Sequence, residues 1–146
     1  MHSKSDKLND LYQEIILDHN RRPRYYGPLA VATHTAMGYN KLCGDKIKVF
    51  LRVGDNRITN LKFECACCAI CKASASIMME ELQGKLLDEV QVCCVKVEKL
   101  LSTNTTASIE YDGDLAALAG VSKFPARVRC ATLPWHTLEN AVFGKS

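Results

Sequence analysis

Leu8, Leu11, Tyr12, Ile15 and Ile16 recur at helical spacing, with Asp10, Gln13 and Glu14 between them. This pattern predicts an amphipathic helix over about residues 6–19. Pro23, Gly27 and Pro28 end it and open an irregular segment with an extended stretch around residues 31–36. Ile47, Val49, Leu51 and Val53 then alternate with Lys48, Phe50 and Arg52, the period of a strand with one buried face. Gly54 to Arg57 supply turn residues, so Ile58 to Glu64 reads as the returning strand of a hairpin. From Cys68 the spacing becomes helical until Gly84, and a second helix is expected over residues 87–101. A polar connector follows at residues 102–108, then a short helix at 115–119 broken by Gly120. The final helix is placed at 131–143, with Pro134 tolerated in its first turn. Strands followed by a run of helices predict an α+β domain, a small antiparallel three-stranded sheet with helices packed on one face.

Length and composition narrow the function classes. The 146 residues suit one domain spanning 1–146, and 47% hydrophobic with 24% charged residues excludes collagenous, mucin-like and mostly disordered chains. No apolar run reaches the roughly 18 residues of a membrane helix, and the charged N-terminal stretch offers no secretory signal; the expected location is the cytoplasm, away from membranes. A net charge of +3 gives no default reason to bind nucleic acid. The densest basic stretch, Arg21, Arg22 and Arg24 beside Tyr25 and Tyr26, reads as a solvated loop.

The eight cysteines are the chemically informative residues. A chain this long folds without covalent staples, and in a reducing compartment thiols serve as metal ligands, reactive groups or small buried hydrophobes rather than as a disulfide framework. Cys43 and Asp45 flank Gly44 just before the first clear strand, where glycine lets the backbone turn so that both side chains converge. Cys68 starts a helix, where the macrodipole stabilises an anion, and Cys130 is expected to precede the last helix in the same way. Three thiolates and a carboxylate make a tetrahedral set suited to zinc, or most of the thiolate set of an iron–sulfur cluster; spacing alone leaves open whether they meet. In ECACCAICK, Cys65, Cys68 and Cys71 match the first three ligands of a bacterial ferredoxin, but Ala75 occupies the fourth position. Cys93 and Cys94 lie on an amphipathic helix and read as core packing.

Taken together, LYQEIILDHNRRPRYYG, CGDKIKV, KFECACCAICKASAS and GVSKFPARVRCATLPWHTLENAV resemble the SufU branch of the IscU and NifU-N iron–sulfur assembly proteins, from about residue 11 to 142. GDLAALAGVSKFPAR, and Arg129 rather than histidine before Cys130, point to that branch. The resemblance implies a zinc site of Cys43, Asp45, Cys68 and Cys130, with Cys43 the sulfur acceptor. It also implies that a pyridoxal-phosphate cysteine desulfurase of the SufS type is the sulfur donor, a histidine of which displaces Cys43 from zinc. Arg127 matches a basic position at the partner surface. The alternative is a scaffold that binds iron and assembles a transient iron–sulfur cluster for transfer to apo-proteins, and downstream iron–sulfur assembly proteins are expected partners in either case. The chain departs from the pattern at Cys65, Cys67 and Cys71, where the branch has glycine, glycine and serine. These thiols either fill space or add a second chemistry.

Overall fold

The computed structural model describes residues 4–102 and 113–144, with side chains from residue 10 onward. Helix α1 (Lys4–Arg21) leads to strands β1 (His34–Asn40), β2 (Asp45–Gly54) and β3 (Arg57–Ala66). Helices α2 (Ala69–Leu82) and α3 (Leu87–Ser102), a 3-10 helix η1 (Gly113–Lys123) and α4 (Pro125–Phe143) follow. The sheet is antiparallel in the order β1-β2-β3, as the alternation predicts. Ile47, Val49 and Leu51 of the central strand are buried with Leu61 and Phe63 of β3 against α2 and α4. Lys46 and Arg52 face out. The turn Gly54–Arg57 places Asp55 and Asn56 at positive φ, the conformation of a tight hairpin. Among the described residues no helix is long and apolar enough to cross a membrane.

Four expectations are corrected. The extended stretch lies at His34–Asn40 rather than 31–36. Its inward positions are His34, Ala36, Gly38 and Asn40, which carry too little apolar surface to announce a strand. Glycine is required at position 38 because α4 crosses it: a Cβ on Gly38 would lie 2.0 Å from Thr137 Oγ1 and 3.0 Å from Leu133 Cδ1. On α1, Leu11 is 54% exposed although it belongs to the apolar spacing, whereas His19 is fully buried.

The segment at 115–119 extends to a 3-10 helix through Gly120. Leu115, Leu118 and Val121 recur every third residue and are all buried. That burial on both sides of the glycine outweighs its helix-breaking cost of about 1 kcal/mol.

The last helix begins at Pro125, six residues before the expected start, because Pro125 and not Pro134 holds the first-turn place. Pro134 is interior and buried. It lacks an N–H, so the carbonyl of Cys130 receives no bond from it. Trp135 beside it offsets the loss, fully buried with its Nε1 donating to Ser74 Oγ at 3.0 Å.

Candidate metal centre

Asn40 pairs with Asp45 across the β1–β2 turn, and Ala66 pairs with Lys46, so all three strands reach one end of the sheet together. Cys43 lies in that turn, which the Gly44 N–H closes by donating to the Asn40 carbonyl at 2.8 Å. Gly44 has φ +73°, the left-handed backbone that lets the chain reverse between Cys43 and Asp45. Cys68 follows β3 directly and is the N-cap of α2. Cys130 arrives from α4, which packs on β1 and β2.

Asp45 is buried and uses its two oxygens differently. Oδ1 accepts the Cys68 backbone N–H at 2.8 Å, and Oδ2 lies 3.7 Å from Cys68 Sγ. Cys68 Sγ also accepts from the Cys71 N–H at 3.5 Å, the cap that starts the helix. Opposite it, Cys130 Sγ lies 3.4 Å from Cys43 Sγ, with Asn40 Nδ2 3.9 Å away. Cys130 is fully buried and Cys43 is exposed. Burial, then hydrogen bonds to Cys43, Asp45 and Cys68, pushes the Cys130 thiol well above the usual thiol range. A hydrogen bond to Cys130, and then the charge of Cys68, holds the Arg127 guanidinium above its ordinary value. The residue expected at a partner surface thus bears electrostatically on the cysteine cluster.

The donor set fits zinc. Zn–S bonds of about 2.3 Å and Zn–O bonds of about 2.0 Å in a tetrahedron put two sulfurs about 3.8 Å apart and a sulfur and an oxygen about 3.5 Å apart, close to the 3.4 Å between Cys43 and Cys130 Sγ and the 3.7 Å between Cys68 Sγ and Asp45 Oδ2. Cys43, Asp45 and Cys130 each offer a donor atom within 4.8 Å of the others, and Cys68 joins through Asp45. Three of the four residues singled out in the sequence thus form one cluster, and Cys68 adjoins it through Asp45. One local expectation is corrected: Cys130 sits inside α4 rather than ahead of it, because the helix starts at Pro125.

The other cysteines divide. Cys94 is buried and Cys93 packs against the core, as the helical spacing predicts. Cys71 is buried behind Cys68, and burial drives its thiol far above the usual range. Cys65 and Cys67 are joined as a disulfide with Cα atoms 5.6 Å apart, one local pair rather than the disulfide framework that the sequence argues against. Sequence reasoning also missed His19, whose Nδ1 lies 2.7 Å from Ser76 Oγ while Nε2 meets Asp114 at 2.5 Å and Glu80 at 3.4 Å. Its sequence signal was weak, a histidine at a helix end. In the fold it ties η1 to α1 and α2.

A family model described as NifU-like N terminal domain matches residues 11–131. The zinc-dependent sulfurtransferase SufU of Bacillus subtilis (strain 168) is 38% identical, covering 92% of this chain and 91% of that protein. The iron-sulfur cluster assembly scaffold protein IscU of Streptococcus pyogenes serotype M1 is 31% identical over 93% of this chain and 85% of its own. Among solved structures, a nitrogen-fixing NifU-like protein (N-terminal) from Brucella abortus superposes with a TM-score of 0.81 at 25% identity, covering 93% of this chain and 94% of that one.

Proposed function

The chain belongs to the NifU-like N-terminal domain family, and from that membership we propose that it is an iron–sulfur cluster assembly protein that accepts sulfur on Cys43 at a zinc site. The observation that carries the reading is the asymmetry of the cluster. Asp45 and Cys130 are buried and Cys68 is half-buried, while Cys43 alone is exposed and 3.4 Å from Cys130 Sγ. Three donors anchor and one faces incoming chemistry.

Cys43, Asp45, Cys68 and Cys130 would hold the metal, and zinc when bound keeps thiols deprotonated at neutral pH without redox chemistry of its own. The donor in this reading is a pyridoxal-phosphate cysteine desulfurase of the SufS type carrying a persulfide. The Cys43 thiolate attacks the outer sulfur of that persulfide. The sulfur–sulfur bond breaks, the desulfurase keeps its own thiolate, and Cys43 holds the transferred sulfur as a persulfide. Asp45 Oδ1, bonded to the Cys68 N–H, keeps the anchor side in place meanwhile. Arg127 adds a positive charge beside the exposed thiol.

Desulfurase turnover measured with and without this protein tests the reading. Cys43→Ala is expected to abolish stimulation while the fold, read by circular dichroism, stays intact. Full stimulation by that variant removes Cys43 from the acceptor role. The second reading, a scaffold for a transient cluster, is favoured by the same thiols and by the IscU relative. Metal analysis after anaerobic purification separates the two: one zinc per chain supports sulfur transfer, and labile iron with sulfide supports the scaffold.

A further inference from the structure

Sulfur carried as a persulfide is at oxidation level zero, whereas the sulfide of a cluster is two electrons more reduced. Within the acceptor site the Cys68 and Cys130 thiols are committed to the metal, so the electrons that bridge that gap must come from thiols outside the donor set. Cys65 and Cys67 hold them. They are separated by two positions, their Cα atoms are 5.6 Å apart, and they are joined, so a dithiol here closes to a disulfide within a span of about 4.4–6.8 Å that such bonds need. Cys67 directly precedes Cys68, whose Sγ is 3.7 Å from Asp45 Oδ2. It lies beyond the end of β3, on the short link to α2. Cys65 is still in β3, packed against the core, with its N–H and C=O both bonded to the Tyr26 hydroxyl at 3.2 Å and 3.0 Å. One thiol is thus on a connecting link next to the site and the other is on a fixed strand. Cys43 stands on an open turn, where nothing lies within 4 Å of a Cβ built on Gly44.

We propose that Cys65 and Cys67 form an internal dithiol that reduces the persulfide on Cys43 and releases it as sulfide. This rests on Cys43 being the acceptor. The Cys67 thiolate attacks the inner sulfur of the Cys43 persulfide, the outer sulfur leaves as hydrosulfide, and a Cys43–Cys67 mixed disulfide forms. The Cys65 thiolate then attacks the Cys67 sulfur and the Cys43 thiolate departs. The dithiol is oxidised by two electrons, the persulfide sulfur is reduced by two, and the Cys65–Cys67 disulfide described here is the spent state. A second turnover requires a thiol reductant.

The test is a single turnover under anaerobic conditions. Fully reduced, zinc-loaded protein is freed of reductant and exposed to a SufS-type desulfurase with one equivalent of cysteine per chain, so that no thiol substrate remains, and free sulfide, remaining thiols and peptide masses are measured. The native chain is expected to release one sulfide per chain, with the 65–67 peptide lighter by two hydrogens. Cys67→Ser should retain a Cys43 peptide heavier by one sulfur atom. Cys65→Ser should accumulate the Cys43–Cys67 mixed disulfide, a species that a merely space-filling pair cannot give. Native protein that keeps the Cys43 persulfide with Cys65 and Cys67 still as thiols overturns the proposal and leaves the acceptor reading standing. Absence of added sulfur on Cys43 in all three proteins overturns both.

Discussion

Asp45 holds the Cys68 N–H with one oxygen and, as a proposed zinc ligand, offers the other to the metal, and substitutions can separate the two roles. Asn at this position keeps an oxygen for the Cys68 N–H, 2.8 Å away, but loses the charge that attracts a cation. Ala loses both and leaves a half-buried N–H without its acceptor, an omission worth about 1–3 kcal/mol. Asp45→Asn is therefore expected to unfold in urea close to the parent midpoint when both are metal-free, yet to surrender zinc faster to a chelator when both are loaded. Asp45→Ala should show both the zinc loss and the lower midpoint. Equal zinc retention by parent and Asn variant would remove Asp45 from the ligand set. At this scale the sequence was most legible: a thiol, a glycine and an acid before a strand narrow the chemistry to few options. It was least legible at His19, because a buried imidazole is defined by Ser76, Asp114 and Glu80, which are distant in sequence.

At the level of elements, the contact between β1 and α4 decides how Cys130 is presented. Gly38→Ala pushes a methyl group into Thr137 Oγ1, and overpacking of this kind costs about 1–3 kcal/mol. The loss is expected in urea unfolding, and Thr137→Ala in the same chain should recover part of it by removing the obstructing hydroxyl. A double variant no more stable than Gly38→Ala alone would show that the clash is relieved elsewhere. This same contact explains why β1 and the start of α4 were the elements misplaced from sequence. β1 turns only small or polar residues inward, so its apolar alternation is muted. Two prolines, Pro125 and Pro134, each suit a first helical turn locally, and only the packing of Trp135 and Leu138 shows that the later one is interior. By contrast β2, β3, α2 and α3 carry strong apolar periods and were placed within a few residues.

Over the whole molecule, burial sorts thiols that are identical in sequence. Burial, assisted by the Glu81 charge, pushes the Cys93 thiol up to about 11. A thiol acid with a raised value stays neutral until the pH approaches that value, so at pH 8 only about a thousandth of Cys93 is thiolate. Iodoacetamide on the metal-free native protein at pH 8 should modify Cys43 first and spare Cys93 and Cys71, with Cys93 labelling rising towards pH 11. Mass mapping reads this directly, and early labelling of Cys93 contradicts the burial account. The sheet register carries a consequence for length changes. Asp45 opens β2 at one end, whereas the irregularity between Arg52 and Val53 lies towards the hairpin turn at the other. A residue added near a bulge is absorbed locally, but one added within a regular ladder inverts every side chain beyond it. One glycine inserted between Asp55 and Asn56 should leave zinc stoichiometry unchanged, while the same insertion between Ile47 and Lys48 should abolish it. The domain therefore has a permissive pole at the hairpin turn, where chain length can change without reaching the thiols, and a forbidding pole at the cysteine end, where a single added residue dismantles the site.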